Sequence, residues 1–160
     1  MIKKNAINDI EKDLSSKERM FRLIQGDVGS GKTIVSLIAA LNVIKSGYQV
    51  ALMVPTEILA KQHYNYSSKF FSDDINVDLI TGKTDYINKK LILKNLEVNK
   101  INLIIGTHSL FQKKVKFKNL GLIIIDEQHK FGVNQRKELS DKGGNDCDVL
   151  VMSATPIPRT

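Results

Sequence analysis

The sequence predicts an α/β fold, a doubly wound and mostly parallel sheet with helices on its faces. Three observations carry that expectation. Short apolar runs without alternation, such as Leu122–Ile125 and Val149–Met152, suit strands buried on both faces of a parallel sheet. Longer stretches of helical period separate most of these runs, the rhythm of strand–helix–strand units with right-handed crossovers. A glycine-rich turn, Gly26–Thr33, joins the first strand to the first long apolar helix.

The elements follow in order. Residues 6–20 read as a helix with Ala6, Ile7, Ile10 and Leu14 on one face. Phe21–Gln25 reads as a strand running into the glycine turn. Lys32–Ser46 is a mostly apolar helix stopped by Gly47, and Gln49–Val54 is the next strand. A helix over about 56–70 precedes a strand at Val77–Ile80, and a helix over about 85–98 precedes one at Leu103–Ile105. Leu122–Ile125 and Val149–Met152 complete the set. Gly143-Gly144-Asn145 reads as a surface turn.

Bulk composition bounds the function. A chain of 160 residues suits one domain with a sizeable core, and 42% hydrophobic with 26% charged residues is ordinary for a globular protein. No apolar run approaches the roughly 20 residues that span a bilayer, so no membrane is expected. The basic start, Met1–Asn5, leads into Asp9, Glu11 and Asp13 rather than an apolar segment, which argues against export. The single cysteine, Cys147, has no internal disulfide partner and fits a reducing cytoplasm. A net charge of +7 favours polyanions, although a lysine-rich composition would produce it equally well.

Gly26, Asp27, Val28, Gly29, Ser30, Gly31, Lys32 and Thr33 satisfy G-x-x-x-x-G-K-[ST] at every defined position. Glycines let the backbone curl so that several N–H groups converge on phosphate oxygens, while the following helix presents its positive end. Lys32 is placed for the β- and γ-phosphates, and the Thr33 hydroxyl for Mg²⁺. An incidental glycine turn is the bland alternative. The apolar strand before it and the long helix after it favour nucleotide binding.

Such a loop needs a second Mg²⁺ anchor, usually a carboxylate at the end of an adjacent apolar strand. Leu122–Ile125 ends in Asp126 and Glu127. Asp126 is the candidate for Mg²⁺, through water, and Glu127 for polarising the water that attacks the γ-phosphate. Gln128 and His129 complete Asp-Glu-Gln-His and are assigned to the same nucleotide site. His63, His108 and His129 read as isolated and Cys147 has no partner, so no metal-ligand cluster is expected.

At this point the sequence resembles the superfamily 2 helicases. Gly26–Thr33, Asp126–His129 and Ser153-Ala154-Thr155 stand in the order and spacing of their motifs I, II and III, and Pro55-Thr56-Glu57 looks like motif Ia. Residues Asp126–Arg136 and Ser153–Thr160 resemble the RecG branch-migration helicases and their relatives, the transcription-repair coupling factors. RecG proteins typically carry Asp-Glu-Gln-His and a serine at the position of Ser30; the coupling factors typically carry Asp-Glu-Glu-His and phenylalanine. Both tests favour RecG.

The resemblance implies a RecA-like P-loop NTPase domain, ATP and Mg²⁺ as cofactors, and a monomeric, cytoplasmic motor acting on branched or forked DNA without sequence preference. It implies that Ser153 and Thr155 link nucleotide state to a second motor domain, with Gln135 and Arg136 serving coupling or DNA contact. Pro55, Thr56, Thr81, Gly82, Thr107 and His108 each follow an apolar strand and would meet DNA phosphates along one edge of the sheet. Taken singly, each fits ordinary turn chemistry. Lys113, Lys114, Lys116 and Lys118 read as solvated surface, with DNA contact as the alternative.

Residues 1–160 are expected to be the ATP-binding motor domain alone, without the wedge domain and second motor domain of a RecG protein. Such a domain would bind ATP weakly and turn it over negligibly by itself. The rival functions are a transcription-repair coupling translocase and a non-catalytic nucleotide-binding regulator; the intact Lys32, Thr33, Asp126 and Glu127 set argues against the latter.

Overall fold

The computed structural model describes residues 2–14, 21–25, 31–126 and 147–153. Within these residues the chain runs α1 (Ile2–Leu14), β1 (Phe21–Gln25), α2 (Lys32–Lys45), β2 (Gln49–Met53), α3 (Glu57–Phe70), β3 (Val77–Ile80), α4 (Tyr86–Glu97), β4 (Leu103–Gly106), β5 (Leu120–Asp126) and β6 (Asp148–Ser153). A short 3-10 helix, His108–Phe111, follows β4.

All six strands form one sheet in the order β1-β6-β5-β2-β4-β3, and every described pairing is parallel. The expected fold class is what the chain adopts. The apolar runs owe their lack of alternation to burial on both faces. Val50, Leu52, Leu103, Ile105, Leu122, Ile124, Leu150 and Met152 join the core formed with α1, α2 and α3. Their neighbours Ala51, Met53, Ile104, Ile123, Ile125, Val149 and Val151 join a second core with Ile92 and Leu96 of α4 and with Leu110. Successive side chains point to opposite faces, so both sets must be apolar.

Local chemistry sets the element ends. Thr56 caps α3, its Oγ1 accepting from Leu59 N at 3.2 Å, and Asp85 caps α4 by accepting from Asn88 N at 2.9 Å. Gly47 stops α2 at φ 93°, a left-handed position that glycine occupies without strain. At the N-terminal end of the sheet Gln49 is buried but fully used. Its Nε2 donates to the carbonyls of Leu96 and Ile101, and its Oε1 accepts from Asn119 N.

The structure differs from the expectations at several element ends and in one added element. Helix α1 begins at Ile2 rather than near Ala6, because Lys3 and Lys4 favour helix without adding to the apolar period. Strand β5 starts two residues earlier than the apolar run, at Leu120. The 3-10 turn after β4 gave no periodic signal; it is closed by Leu110 N donating to Thr107 O at 3.1 Å. Residues 15–20 and Gly143–Asn145 lie outside the described residues. Among the described residues, no helix is long and apolar enough to cross a membrane.

Candidate functional site

Parallel strands bring their C-terminal ends to one edge, and the register shows that edge to be level. Gln25 pairs with Ser153, Met152 with Asp126, Ile125 with Met53, Met53 with Gly106, and Gly106 with Ile80. Across this edge the described candidates follow strand order: Gly31–Thr33 beyond β1, Ser153 ending β6, Asp126 ending β5, Pro55 and Thr56 after β2, Thr107 and His108 after β4, Thr81 and Gly82 after β3. The site residues are thus collected by topology, as α/β folds collect ligands outside the carboxyl ends of their strands.

The phosphate-loop and acidic strands are not adjacent. Strand β6 lies between β1 and β5, so the two are about 10 Å apart at ordinary strand spacing. Ser153, 2% exposed, ends that intervening strand. A nucleotide held at this edge would span three strands.

Gly31 precedes α2 at φ 88° and ψ 18°, and its carbonyl accepts the first helical bond, from Val35 N at 3.2 Å. A side chain there would be strained, which is the physical content of the glycine before Lys32. Lys32 and Thr33 are half-buried in the first turn of α2. The Thr33 carbonyl accepts from Ser36 Oγ at 2.7 Å.

Asp126 has a partner that sequence reading missed. Oδ2 of Asp126 lies 2.9 Å from Nε2 of His63, which projects from α3. Both side chains are largely enclosed, at 10% exposed for His63 and 15% for Asp126. His63 is therefore not isolated. A signal for it existed: Ala60, His63 and Ser67 form the buried stripe of α3, and a histidine there must find a hydrogen-bond partner.

The loops beyond β2, β4 and β3 are built differently. Thr56 Oγ1 caps α3, and Thr81 Oγ1 accepts from Lys83 N at 3.2 Å while Thr84 Oγ1 accepts from Thr81 N at 3.0 Å. Thr81 and Thr107 are buried at 4% and 8% exposed, whereas Thr56, Gly82 and His108 face outward. Glu57 reaches Lys83 at 3.6 Å, tying the β2–α3 turn to the loop after β3. Gly106 is required where it stands, because a Cβ would come within 2.7 Å of the Ile80 carbonyl oxygen and 2.9 Å of Leu110 Cγ.

Lys113, Lys114, Lys116 and Lys118 are exposed. Partial burial first, and then the neighbouring Lys114 ammonium, push Lys89 of α4 below the usual lysine range. Gly26, Asp27, Val28, Gly29, Ser30, Glu127, Gln128, His129, Gln135, Arg136 and Thr155 lie outside the described residues.

The comparisons with known proteins agree with this geometry. The family model described as DEAD/DEAH box helicase matches residues 1–160. The chain belongs to the DEAD/DEAH box helicase family. Within that family it is similar to the ATP-dependent DNA helicase RecG of Aquifex aeolicus, 57% identical over 157 residues that cover 97% of this chain and 20% of the relative. RecG of Staphylococcus aureus is 52% identical, with 98% of this chain and 23% of the relative covered. Among solved structures, RecG bound to a three-way DNA junction superposes with a TM-score of 0.86 at 47% identity, covering 98% of this helicase-family chain and 21% of that one. The UvsW helicase of bacteriophage T4, at 18% identity and a TM-score of 0.68, covering 94% of this chain and 51% of that one, shares the fold. The chain spans about a fifth of the length of the RecG relatives it matches.

Proposed function

We propose that the chain is the ATP-binding motor domain of a RecG-type DNA helicase, which remodels branched or forked DNA in recombination and repair. The observation that carries this reading is the level C-terminal edge. It holds Lys32 and Thr33 and the enclosed carboxylate of Asp126 at one end, and three outward-facing turns at the other.

The donor set fits Mg²⁺. A hydroxyl at Thr33 and a carboxylate at Asp126 are hard oxygen ligands that would hold the cation, directly or through its water, and Asp126 Oδ2 lies 2.9 Å from His63 Nε2. Bound there, the cation would neutralise charge on the β- and γ-phosphates. This chain's own residues do the rest. The backbone of Gly26–Gly31 and the positive end of α2 receive phosphate oxygens, and Lys32 supplies a point charge to the β- and γ-groups. Glu127 is assigned to orient the attacking water by accepting its proton, and Gln128 and His129 to the same nucleotide site.

At the other end, Thr56, Gly82 and His108 meet the DNA backbone. A threonine hydroxyl that accepts a backbone N–H still has its own O–H to donate, so capping α3 and binding a phosphate are compatible for Thr56. Pro55, Thr81 and Thr107 shape these turns, and phosphate contact of this kind carries no sequence preference. Ser153, with Thr155, Gln135 and Arg136, relays nucleotide state to a second motor domain in the complete protein.

Lys32→Ala tests the reading. In the complete helicase it is expected to lower ATP turnover by about 10²–10³-fold, the usual loss for one preorganised charge-stabilising donor, and to abolish fork remodelling. DNA affinity, read by fluorescence anisotropy, should stay near wild type. Fork remodelling that persists in Lys32→Ala would overturn the motor assignment.

A further inference from the structure

Strand pairing fixes the backbone of Asp126, since Asp126 pairs with Met152 and the preceding Ile125 with Met53. Pairing does not fix the carboxylate, whose terminal torsion is broad and roughly two-fold. The aim of its oxygens has to come from a partner. His63 occupies that position from a different element, two turns into α3 and on its buried stripe. An ionised carboxylate only accepts, so His63 donates through Nε2–H, which selects that ring tautomer. The 2.9 Å separation is that of a well-formed bond, in a setting where both side chains are largely withdrawn from water.

We propose that His63 is a positioning residue for Asp126: its Nε2–H fixes Oδ2 and thereby aims Oδ1 at the nucleotide's divalent cation. This rests on the reading of Asp126 as metal anchor. On this proposal His63 acts through Asp126 rather than on the nucleotide or the metal directly. Groups that orient a metal-binding side chain from behind typically contribute 10–100-fold to metal affinity. A histidine that only filled the core would leave metal dependence untouched when exchanged for a well-packed side chain.

The experiment measures the Mg²⁺ concentration giving half-maximal binding of a fluorescent ATP analogue to the complete helicase, alongside KM and kcat for ATP. Folding is checked by circular dichroism. His63→Leu removes the donor at similar volume, and should raise the Mg²⁺ requirement about 10–100-fold while leaving the weak metal-free binding of the analogue unchanged. At saturating Mg²⁺ its kcat should recover towards wild type. His63→Gln, which can still present an N–H to Oδ2, should restore the Mg²⁺ requirement to within about threefold of wild type, well inside that range.

A folded His63→Leu protein with wild-type Mg²⁺ dependence would overturn the proposal. If His63→Leu does not fold, the pair His63→Gln and His63→Asn decides. The shorter asparagine should show the metal deficit and the glutamine should not, and equal behaviour of the two would count against it. Asp126→Ala separates the two levels of failure. An unshifted Mg²⁺ dependence there would sink the metal-anchor reading itself. A shift in Asp126→Ala without one in His63→Leu would sink only the role of His63.

Discussion

The two ends of the sheet edge are held by different means. Beyond β1, β6 and β5, the candidate groups are a lysine, a threonine, a serine and a carboxylate, and the one described polar contact at Asp126 comes from a distant helix. Beyond β2, β4 and β3, the hydroxyls of Thr56 and Thr81 serve their own turns, and Gly106 at the end of β4 leaves room for the Ile80 carbonyl of β3 and for Leu110. On the proposed reading the first end is set by what a nucleotide and its cation require, together with the left-handed backbone of Gly31. The second is set by backbone geometry, with Thr56, Gly82 and His108 left exposed. It follows that substitutions at the two ends should fail in different ways: at the first by losing nucleotide in a folded protein, at the second by losing structure.

Gly106→Ala should give the largest structural effect. The added methyl meets a carbonyl oxygen at 2.7 Å and Leu110 Cγ at 2.9 Å, and overpacking of this kind costs typically about 1–3 kcal/mol, readable by urea denaturation. Gly82→Ala is its control. The nearest atom to a Cβ there is Glu57 Oε1 at 3.7 Å, an ordinary contact, so stability should hold. Equal losses in the two variants would break the comparison.

Thr56→Ala comes next. Losing the cap of α3 should cost about 1 kcal/mol, while Thr56→Ser keeps both cap and hydroxyl. If DNA affinity falls in the alanine variant and returns in the serine variant, with nucleotide affinity steady throughout, the two ends are functionally separate as well.

Much of this was legible in advance, and the limits have physical causes. The helix spans follow from periodicity and the strand spans from unbroken apolar runs, and Gly31 was marked by its place before Lys32. Strand order was not legible, since nothing local says that β6 inserts between β1 and β5. The contact of His63 with Asp126 joins residues 63 apart in the chain, so no spacing rule reaches it. The turn at His108–Phe111 is too short to carry a period. The division of each apolar strand between two cores was hidden for a simpler reason: both faces want the same residues.

Smaller effects sharpen the contrast further. Ser67, one turn beyond His63 on the same stripe, has a buried hydroxyl with no hydrogen-bond partner among the described residues. Ser67→Ala should raise stability by about 0.5 kcal/mol, from better helix propensity and the loss of an unsatisfied group. On β3, burial pushes the Asp78 carboxyl above the usual carboxylate range, against a smaller opposing effect from the bond that Leu79 N donates to it. The folded state then keeps a proton that the unfolded chain has released. The resulting stability is fully present below the unfolded carboxylate's pKa and is lost as pH rises through the raised one. Asp78→Asn should therefore be more stable than the parent at neutral pH, with the gap closing in acid; a gap that widens in acid would contradict the assignment.

Helix α3 touches both ends. Its cap is Thr56, and His63 lies about 10 Å along the axis at 1.5 Å per residue. The same helix therefore carries both the Thr56 cap and the histidine that contacts Asp126. Thermodynamic linkage then sets a condition that no choice of mechanism can evade. If DNA seated on the cap tightens the grip on metal-bound nucleotide by some factor, metal-bound nucleotide must tighten the grip on DNA by that same factor. The coupling factor would be one quantity, read from opposite ends of a single helix.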